Sequence, residues 1–243
     1  MGPSIDSAAL LGEEPELRGG RRDLPHAEVA RIVHDFQTPL STILLEAELL
    51  GHKLAHGLPA DPAKSLARVA RNAEYLARMV ADLLDLCSFE TGHLELRCEV
   101  LELGTLLAAV VERVISSRDA DRITLELGAP VTARVDEHRL QRVIANLLEN
   151  AIKYAPPASQ IIVRMEPRAT ELEISVLDTG GGLLPAELVT MFDEYKRVGN
   201  LSLHAGSGLG LFVSKLIIAA HGGAIAVESA IGSGTRFYFT LPR

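Results

Sequence analysis

The stretch Glu171-Leu-Glu-Ile-Ser-Val-Leu-Asp-Thr-Gly-Gly-Gly182 places apolar residues at Leu172, Ile174 and Val176, every second position, and then stops on a carboxylate and three glycines. Such alternation is a strand with one buried face. Phe237, Phe239 and Leu241 repeat it near the end of the chain, so this part is expected to hold a mostly antiparallel sheet covered on one side. Helices near 103–117, 137–154 and 208–220 would supply the cover, which predicts a two-layer α/β sandwich.

Upstream the period changes. From Pro25, suited to a first helical position, Val29, Ile32, Val33, Phe36, Leu40, Ile43, Leu44, Ala47, Leu50 and Leu54 recur at helical spacing. On a wheel they fill one arc of about 120°. Gly57-Leu-Pro-Ala-Asp-Pro62 interrupts the pattern, and Leu66, Val69, Ala73, Leu76, Val80, Leu83 and Cys87 make a second stripe. Two helices with stripes this wide cannot bury them against each other alone, so a homodimer forming a four-helix bundle is expected. The chain therefore reads as α+β: a helical hairpin over 26–92 and a sandwich domain over 93–243. Residues 1–25 combine Gly, Pro and charge without apolar periodicity and read as a flexible leader.

The chain has 243 residues, a net charge of −8, 47% hydrophobic and 23% charged residues, which is a globular composition. Most of the net negative charge, −6 of −8, falls in the first 100 residues, and the acidity argues against nucleic-acid binding by bulk charge. No apolar run reaches the roughly 18 residues that a membrane span needs, and no signal-peptide order opens the chain. The expected location is cytoplasmic. Cys87 and Cys98 fit neither a disulfide framework nor a metal-ligand spacing.

Two groups of residues carry chemistry. On the first helix His34 and Thr38 lie one turn apart on the face opposite the apolar stripe, with Asp35 beside them and Pro39 following. A neutral imidazole is a nucleophile at its free nitrogen, and a carboxylate beside the other nitrogen fixes the tautomer and supports the developing positive charge. Pro39 removes the N–H that would bond the Asp35 carbonyl, so a bend is expected there. The second group is scattered along the sandwich. Asn146-Leu-Leu-Glu-Asn-Ala-Ile-Lys-Tyr154 sets Asn146 and Asn150 one turn apart. Asn carbonyls can ligate Mg²⁺, Lys153 can meet phosphate and Tyr154 can pack on a base, although two Asn on a helix are by themselves ordinary surface residues. Asp178 can accept from an exocyclic amine, which adenine offers and guanine does not, while Gly180 and Gly182 let a ligand approach the backbone. Gly206-Ser-Gly208-Leu209-Gly210 opens a helix whose N–H groups suit an anion, without a Rossmann or a P-loop spacing. Phe192-Asp-Glu-Tyr195-Lys-Arg197 and the polar stretch after it could close as a lid.

In this order and at these spacings the pieces resemble the histidine protein kinases of two-component signalling, over about residues 26–243. His34-Asp-Phe-Gln-Thr-Pro-Leu40 is similar to their phosphoacceptor box and Asn146–Tyr154 to their N box. Asp178–Gly182, Phe192–Tyr195 and Gly206–Gly210 resemble the first glycine box, the F box and the second glycine box, and Gly232-Ser-Gly234-Thr235 a further glycine turn near adenine. The resemblance implies a Bergerat-type ATP fold with Asn150 on Mg²⁺, Asp178 on the adenine amine, and Lys153 and Arg197 near the phosphates. It further implies that His34 takes the γ-phosphoryl group and passes it to an aspartate of a response-regulator receiver domain, with Asp35 as base and Thr38 placing water for dephosphorylation. Phe36-Gln37 stands in place of the family's usual Leu-Arg and Tyr195 in place of Phe. Two other readings remain open. An ATP-hydrolysing relative on the same fold would carry a glutamate base where this chain has Asn146, and a non-catalytic dimeric signalling scaffold would have lost pocket residues that this chain keeps.

Overall fold

The computed structural model describes residues 26–56, 61–91, 94–116, 118–193 and 208–243. The expected leader, much of the turn after Gly57, and Tyr195, Arg197 and Gly206 lie outside the described residues.

Helix α1 (His26–Ala55) and helix α2 (Pro62–Glu90) form the antiparallel hairpin. Asp61 caps α2 by accepting from the Lys64 amide, and Pro62 opens it where no N–H is needed. α1 runs unbroken through Pro39 as a single 30-residue helix. An ion pair between the buried Glu46 and Arg68, 2.5 Å apart, ties the two helices together. The hairpin leaves Leu40, Leu44, Leu45, Leu54 and Leu66 about half exposed or more. The apolar stripes read from the sequence are thus largely uncovered by the single chain.

The rest is the sandwich. Strand β1 (Glu99–Glu102) pairs antiparallel with β3 (Thr132–Val135), and α3 (Leu103–Val114) follows β1. The main sheet has the order β2-β4-β5-β7-β6, with β2 (Ile123–Glu126), β4 (Ile161–Pro167), β5 (Glu171–Asp178), β6 (Ile225–Ala230) and β7 (Gly234–Pro242). β2 and β4 are parallel and the other pairs antiparallel. Helices α3, α4 (Glu137–Tyr154) and α6 (Gly210–Ala220) contribute Leu107, Ile144, Leu147 and Ile218 to one core with Leu172, Ile174 and Phe239 of the sheet. Because Leu172, Ile174 and Val176 face this core, the period of two puts Asp178 on the same side, toward the helices. A short helix, α5 (Pro185–Val189), lies between β5 and the undescribed segment. On the open face of the sheet Glu126, Arg164, Glu166, Arg168, Glu173, Arg236 and Glu228 alternate in sign across the strands as a ladder of ion pairs.

The second half of α2 is packed onto the sandwich. Leu86 is buried in the common core, with Leu83 and Phe89 against it. Beside them Asp85 pairs with Arg139 of α4 at 2.5 Å, Arg142 binds both Asp82 and Asp85, and Arg78 faces Glu149 at 3.8 Å. Among the described residues no helix is long and apolar enough to cross a membrane.

Candidate active site

The expected site residues fall into two places. On α1 the His34 side chain is 77% exposed and its Nδ1 lies 3.6 Å from Asp35 Oδ1, whose side chain is only 10% exposed. That is an electrostatic contact and not a hydrogen bond. It turns the Nδ1 side of the ring toward the carboxylate and leaves Nε2 as the nitrogen away from it. Thr38 stands one turn on, its hydroxyl donating to the His34 carbonyl at 3.4 Å. A shallow cleft beside them is lined by Gln37, Ser41, Thr42 and Leu45.

The other residues converge where β5, α4, α6 and β7 meet. Asp136 caps α4 by accepting from the Arg139 amide at 3.1 Å and also accepts from the Arg97 amide. Burial would raise its carboxyl, but these amides and the Arg139 charge hold it below the usual range. α4 buries Leu140, Ile144, Leu147, Leu148 and Ala151. Asn146, Asn150 and Lys153 therefore sit half-buried on the flank, with Tyr154 half exposed and the Lys153 ammonium 4.8 Å over its ring.

Asn146 does not stand alone. Its Nδ2 donates to Ser214 Oγ at 3.1 Å, and Ser214 donates to the Gly210 carbonyl at 2.8 Å. A Cβ at Gly210 would lie 2.5 Å from Asn146 Oδ1, so any other residue there would make the Asn146 carboxamide shift. α6 begins at Gly210 and not at 208 because Gly208 has φ +72, outside the helical region. Leu209, next to it, is buried in the core.

Asp178 at the end of β5 is 7% exposed. Its Oδ1 accepts from the Gly180 amide at 2.8 Å, and the Thr235 amide also supports it. Burial nonetheless pushes the carboxyl above the usual range, against those two amides. The hydroxyl of Thr235 is engaged with Ser229 at 3.1 Å, so Thr235 serves Asp178 through its backbone. Gly182, with φ +69, closes the turn where any Cβ would strike the Ala230 carbonyl at 1.9 Å.

Two cross-links were hidden from the sequence. Ser214 is the one hydroxyl on a helix that is apolar apart from Lys215, and that contrast was its one signal. His221 caps the end of α6 as its position before two glycines suggests, its Nδ1 bonding the Ile217 carbonyl at 2.8 Å. Its Nε2 also accepts from the Asp136 amide at 3.0 Å, which ties the far ends of α4 and α6 together. Among the described residues no group of three His, Cys, Asp or Glu could hold a metal ion. A lone Asn carboxamide, Asn150, suits Mg²⁺ that takes its other ligands from phosphates and water.

Known proteins with this arrangement are consistent among themselves. Residues 135–243 match the family described as histidine kinase-, DNA gyrase B- and HSP90-like ATPase, and residues 27–92 match the His kinase A (phospho-acceptor) domain. The adaptive-response sensory kinase SasA of Synechococcus sp. (strain JA-3-3Ab) is 31% identical over 239 residues, covering 96% of this chain and 63% of its own length. The alginate biosynthesis sensor protein KinB of Pseudomonas aeruginosa is 31% identical over 244 residues, covering 99% and 40%. Among solved structures the mycobacterial sensor histidine kinase MprB is 30% identical with a TM-score of 0.53, covering 59% of this chain and 97% of that one. Full-length ShkA in complex with AMPPNP is 27% identical with a TM-score of 0.59, covering 89% and 45%. The chain spans less than two thirds of the length of these curated relatives.

Proposed function

Because the chain belongs to the sensor histidine kinases of two-component signalling, we propose that it phosphorylates itself on His34 from ATP and passes the phosphoryl group to an aspartate of a response-regulator receiver domain. The domains are the hairpin over 26–92 and the ATP-binding sandwich over 93–243, working as a homodimer in the cytoplasm. The observation that carries the reading is the division of the chemistry between two places. An exposed imidazole with a shielded carboxylate at its Nδ1 side stands on the hairpin, and the buried Asp178, held by the Gly180 amide at the end of β5, lies in the sandwich. Neither half performs a reaction alone.

The neutral imidazole attacks the γ-phosphorus through Nε2. The bond from phosphorus to the bridging oxygen breaks and its electron pair leaves on ADP, while Asp35 takes the positive charge or the Nδ1 proton of the ring. Asp178 holds the adenine amine. Asn146, Asn150, Lys153 and the amides at Gly208–Gly210 take the phosphates and Tyr154 the base, while Arg197 and Gly206, outside the described residues, keep the nucleotide-binding roles that the family resemblance implies. Mg²⁺, held by Asn150 and phosphate oxygens, would offset negative charge along the triphosphate. Transfer then breaks the N–P bond and forms an acyl phosphate on the receiver. Thr38, one turn from His34, places water for the reverse duty of dephosphorylating the receiver.

The hydrolysing alternative needs a general base near the γ-phosphate. Position 146 is an Asn bonded to Ser214, and Glu149 is turned toward Arg78 of α2. The exposed apolar stripe of the hairpin supports the homodimer, and the pocket residues speak against a decayed scaffold. Incubation with γ-labelled ATP should give acid-labile, alkali-stable label in the wild type and none in His34→Gln. Label on His34→Gln would overturn the assignment.

A further inference from the structure

Arg122 lies in a 3₁₀ turn (Ala120–Arg122) before β2, between the two stretches matched by known families. It is 9% exposed, which for an arginine demands full pairing. Nε and Nη2 meet Asp119 Oδ1 at 3.0 and 2.9 Å, Nη2 donates to the Ile152 carbonyl at 3.0 Å and Nη1 to the Pro156 carbonyl at 3.2 Å. Asp119 is itself fixed by the Ser116 hydroxyl at 2.7 Å.

Ile152 belongs to the last turn of α4, whose carbonyls have no partner within the helix and carry the negative end of its dipole. The guanidinium satisfies one of them and grips the chain again four residues on. Between the two gripped carbonyls stand Lys153 and Tyr154, with Asn150 half a turn before. Pro156 is also the neighbour of the turn after Asp178, since a Cβ at Gly180 would lie 3.0 Å from its Cδ. The Pro156 carbonyl is shared with the amide and hydroxyl of Ser159, which hold the loop but not the helix.

We propose that Arg122 is a positioning residue for the phosphate end of the nucleotide, fixing the end of α4 so that Asn150 and Lys153 meet the triphosphate. The proposal rests on the ATP-binding reading above. Arg122 touches no ligand; it acts through the helix terminus. A lysine keeps the charge, but a single ammonium cannot reproduce a fork that spans Asp119 and two carbonyls.

The test uses the full chain and the variant Arg122→Lys, with ATP and Mg²⁺ as one ligand and adenosine, measured by competition against labelled ATP, as the other. ATP affinity should fall about tenfold and KM for ATP should rise likewise, the scale expected for one or two lost hydrogen bonds to a charged group. Adenosine affinity, carried mainly by Asp178 on β5, should fall clearly less than ATP affinity, and kcat at saturating ATP should change by less than about twofold. Equal losses for ATP and adenosine, or no loss for either, would make Arg122 a folding residue only. If Arg122→Lys does not fold by circular dichroism, Asp119→Asn is read instead, with the same split expected at smaller size and the same result overturning it. A wild type that binds neither ligand defeats the ATP reading itself, a result distinct from a wild type that binds both while the variants show no split.

Discussion

The sandwich buries its apolar side chains in one core, which takes in Leu86 of α2, while the rest of the hairpin leaves its stripes largely uncovered. Leu107, Ile144, Leu147, Leu172, Ile174 and Phe239 are fully buried, whereas Leu44 on α1 is 56% exposed in the single chain. The proposed nucleotide site is correspondingly built from backbone amides, glycine contacts and cross-helix bonds, and the proposed nucleophile, His34, stands exposed on a hairpin whose apolar stripe the single chain leaves largely uncovered. On the proposed reading one imidazole must meet two different domains, the ATP-binding sandwich and a receiver, and a nucleophile kept on the unfinished element stays accessible to both.

The sharpest break of this contrast is Leu44→Glu. A charge buried in the expected bundle, without a partner, should abolish the dimer. Light scattering should find monomer at micromolar concentration, while ATP affinity stays within about twofold because Leu44 contributes nothing to the sandwich core. A dimer unaffected by Leu44→Glu, or a loss of ATP binding with it, would erase the distinction between the halves.

Next in size is the chemistry on the hairpin. Asp35→Asn removes the carboxylate 3.6 Å from His34 and should slow autophosphorylation by roughly 10² to 10⁴, the range of a positioned acid–base group. ATP binding, measured by titration, should not change. If binding falls in step with the rate, Asp35 belongs to the nucleotide site and not to the histidine.

Within the sandwich, Asp178→Asn should weaken ATP by about 1.5 to 3 kcal/mol, through loss of a charge-assisted bond to the adenine amine. Its stability should move the other way. Burial raises the Asp178 carboxyl in the fold, so holding its charge costs stability once pH exceeds the ordinary carboxylate range. The amide has no such cost. Calorimetry at neutral pH should find Asp178→Asn at least as stable as wild type, with the gap closing as pH falls and the wild-type carboxyl protonates. A destabilised variant at neutral pH would mean that Gly180 and Thr235 need the charge more than the ligand does.

How far the sequence carries this contrast differs by element. β5 falls on the alternating stretch 171–178 and α4 on the amphipathic run after Asp136, because both are long enough for their period to show. The four-residue strands β1, β2 and β3 are too short for that, and the parallel pairing of β2 with β4 is decided by topology. α3 ends at Val114, short of the expected 117, where Ile115 turns extended. The bend expected at Pro39 does not divide α1. Patterns say which side chains want burial but not against what: Leu83 reads as part of the dimer stripe, yet it packs toward the sandwich core. Arg122, Ser214 and His221 act by pairing across long sequence distances, which no local period records.

The smallest effect expected is at the seam where the two regions touch. Asp85 and Arg139 are partly buried at 13% and 21% side-chain exposure, 2.5 Å apart, with Arg142 bridging to Asp82. Pairs of this kind contribute about 1 kcal/mol or less. Leu83, Leu86 and Phe89 remain when the charge is removed. Asp85→Asn should therefore loosen the docking of the sandwich on α2 without undoing it. In calorimetry at low salt the wild type should melt as one unit, and the variant should separate hairpin from sandwich by a few degrees, the shift that about 1 kcal/mol produces in a domain of this size. Added salt should move the wild type toward the variant, because screening weakens the same pairs. Asp82→Asn is the internal control. Burial already pushes the Asp82 carboxyl up despite Arg142, so its charge is held at a cost and losing it should matter less than losing that of Asp85. Equal effects of the two substitutions, or a wild type whose melting ignores salt, would mean that the apolar contacts alone hold the two regions together.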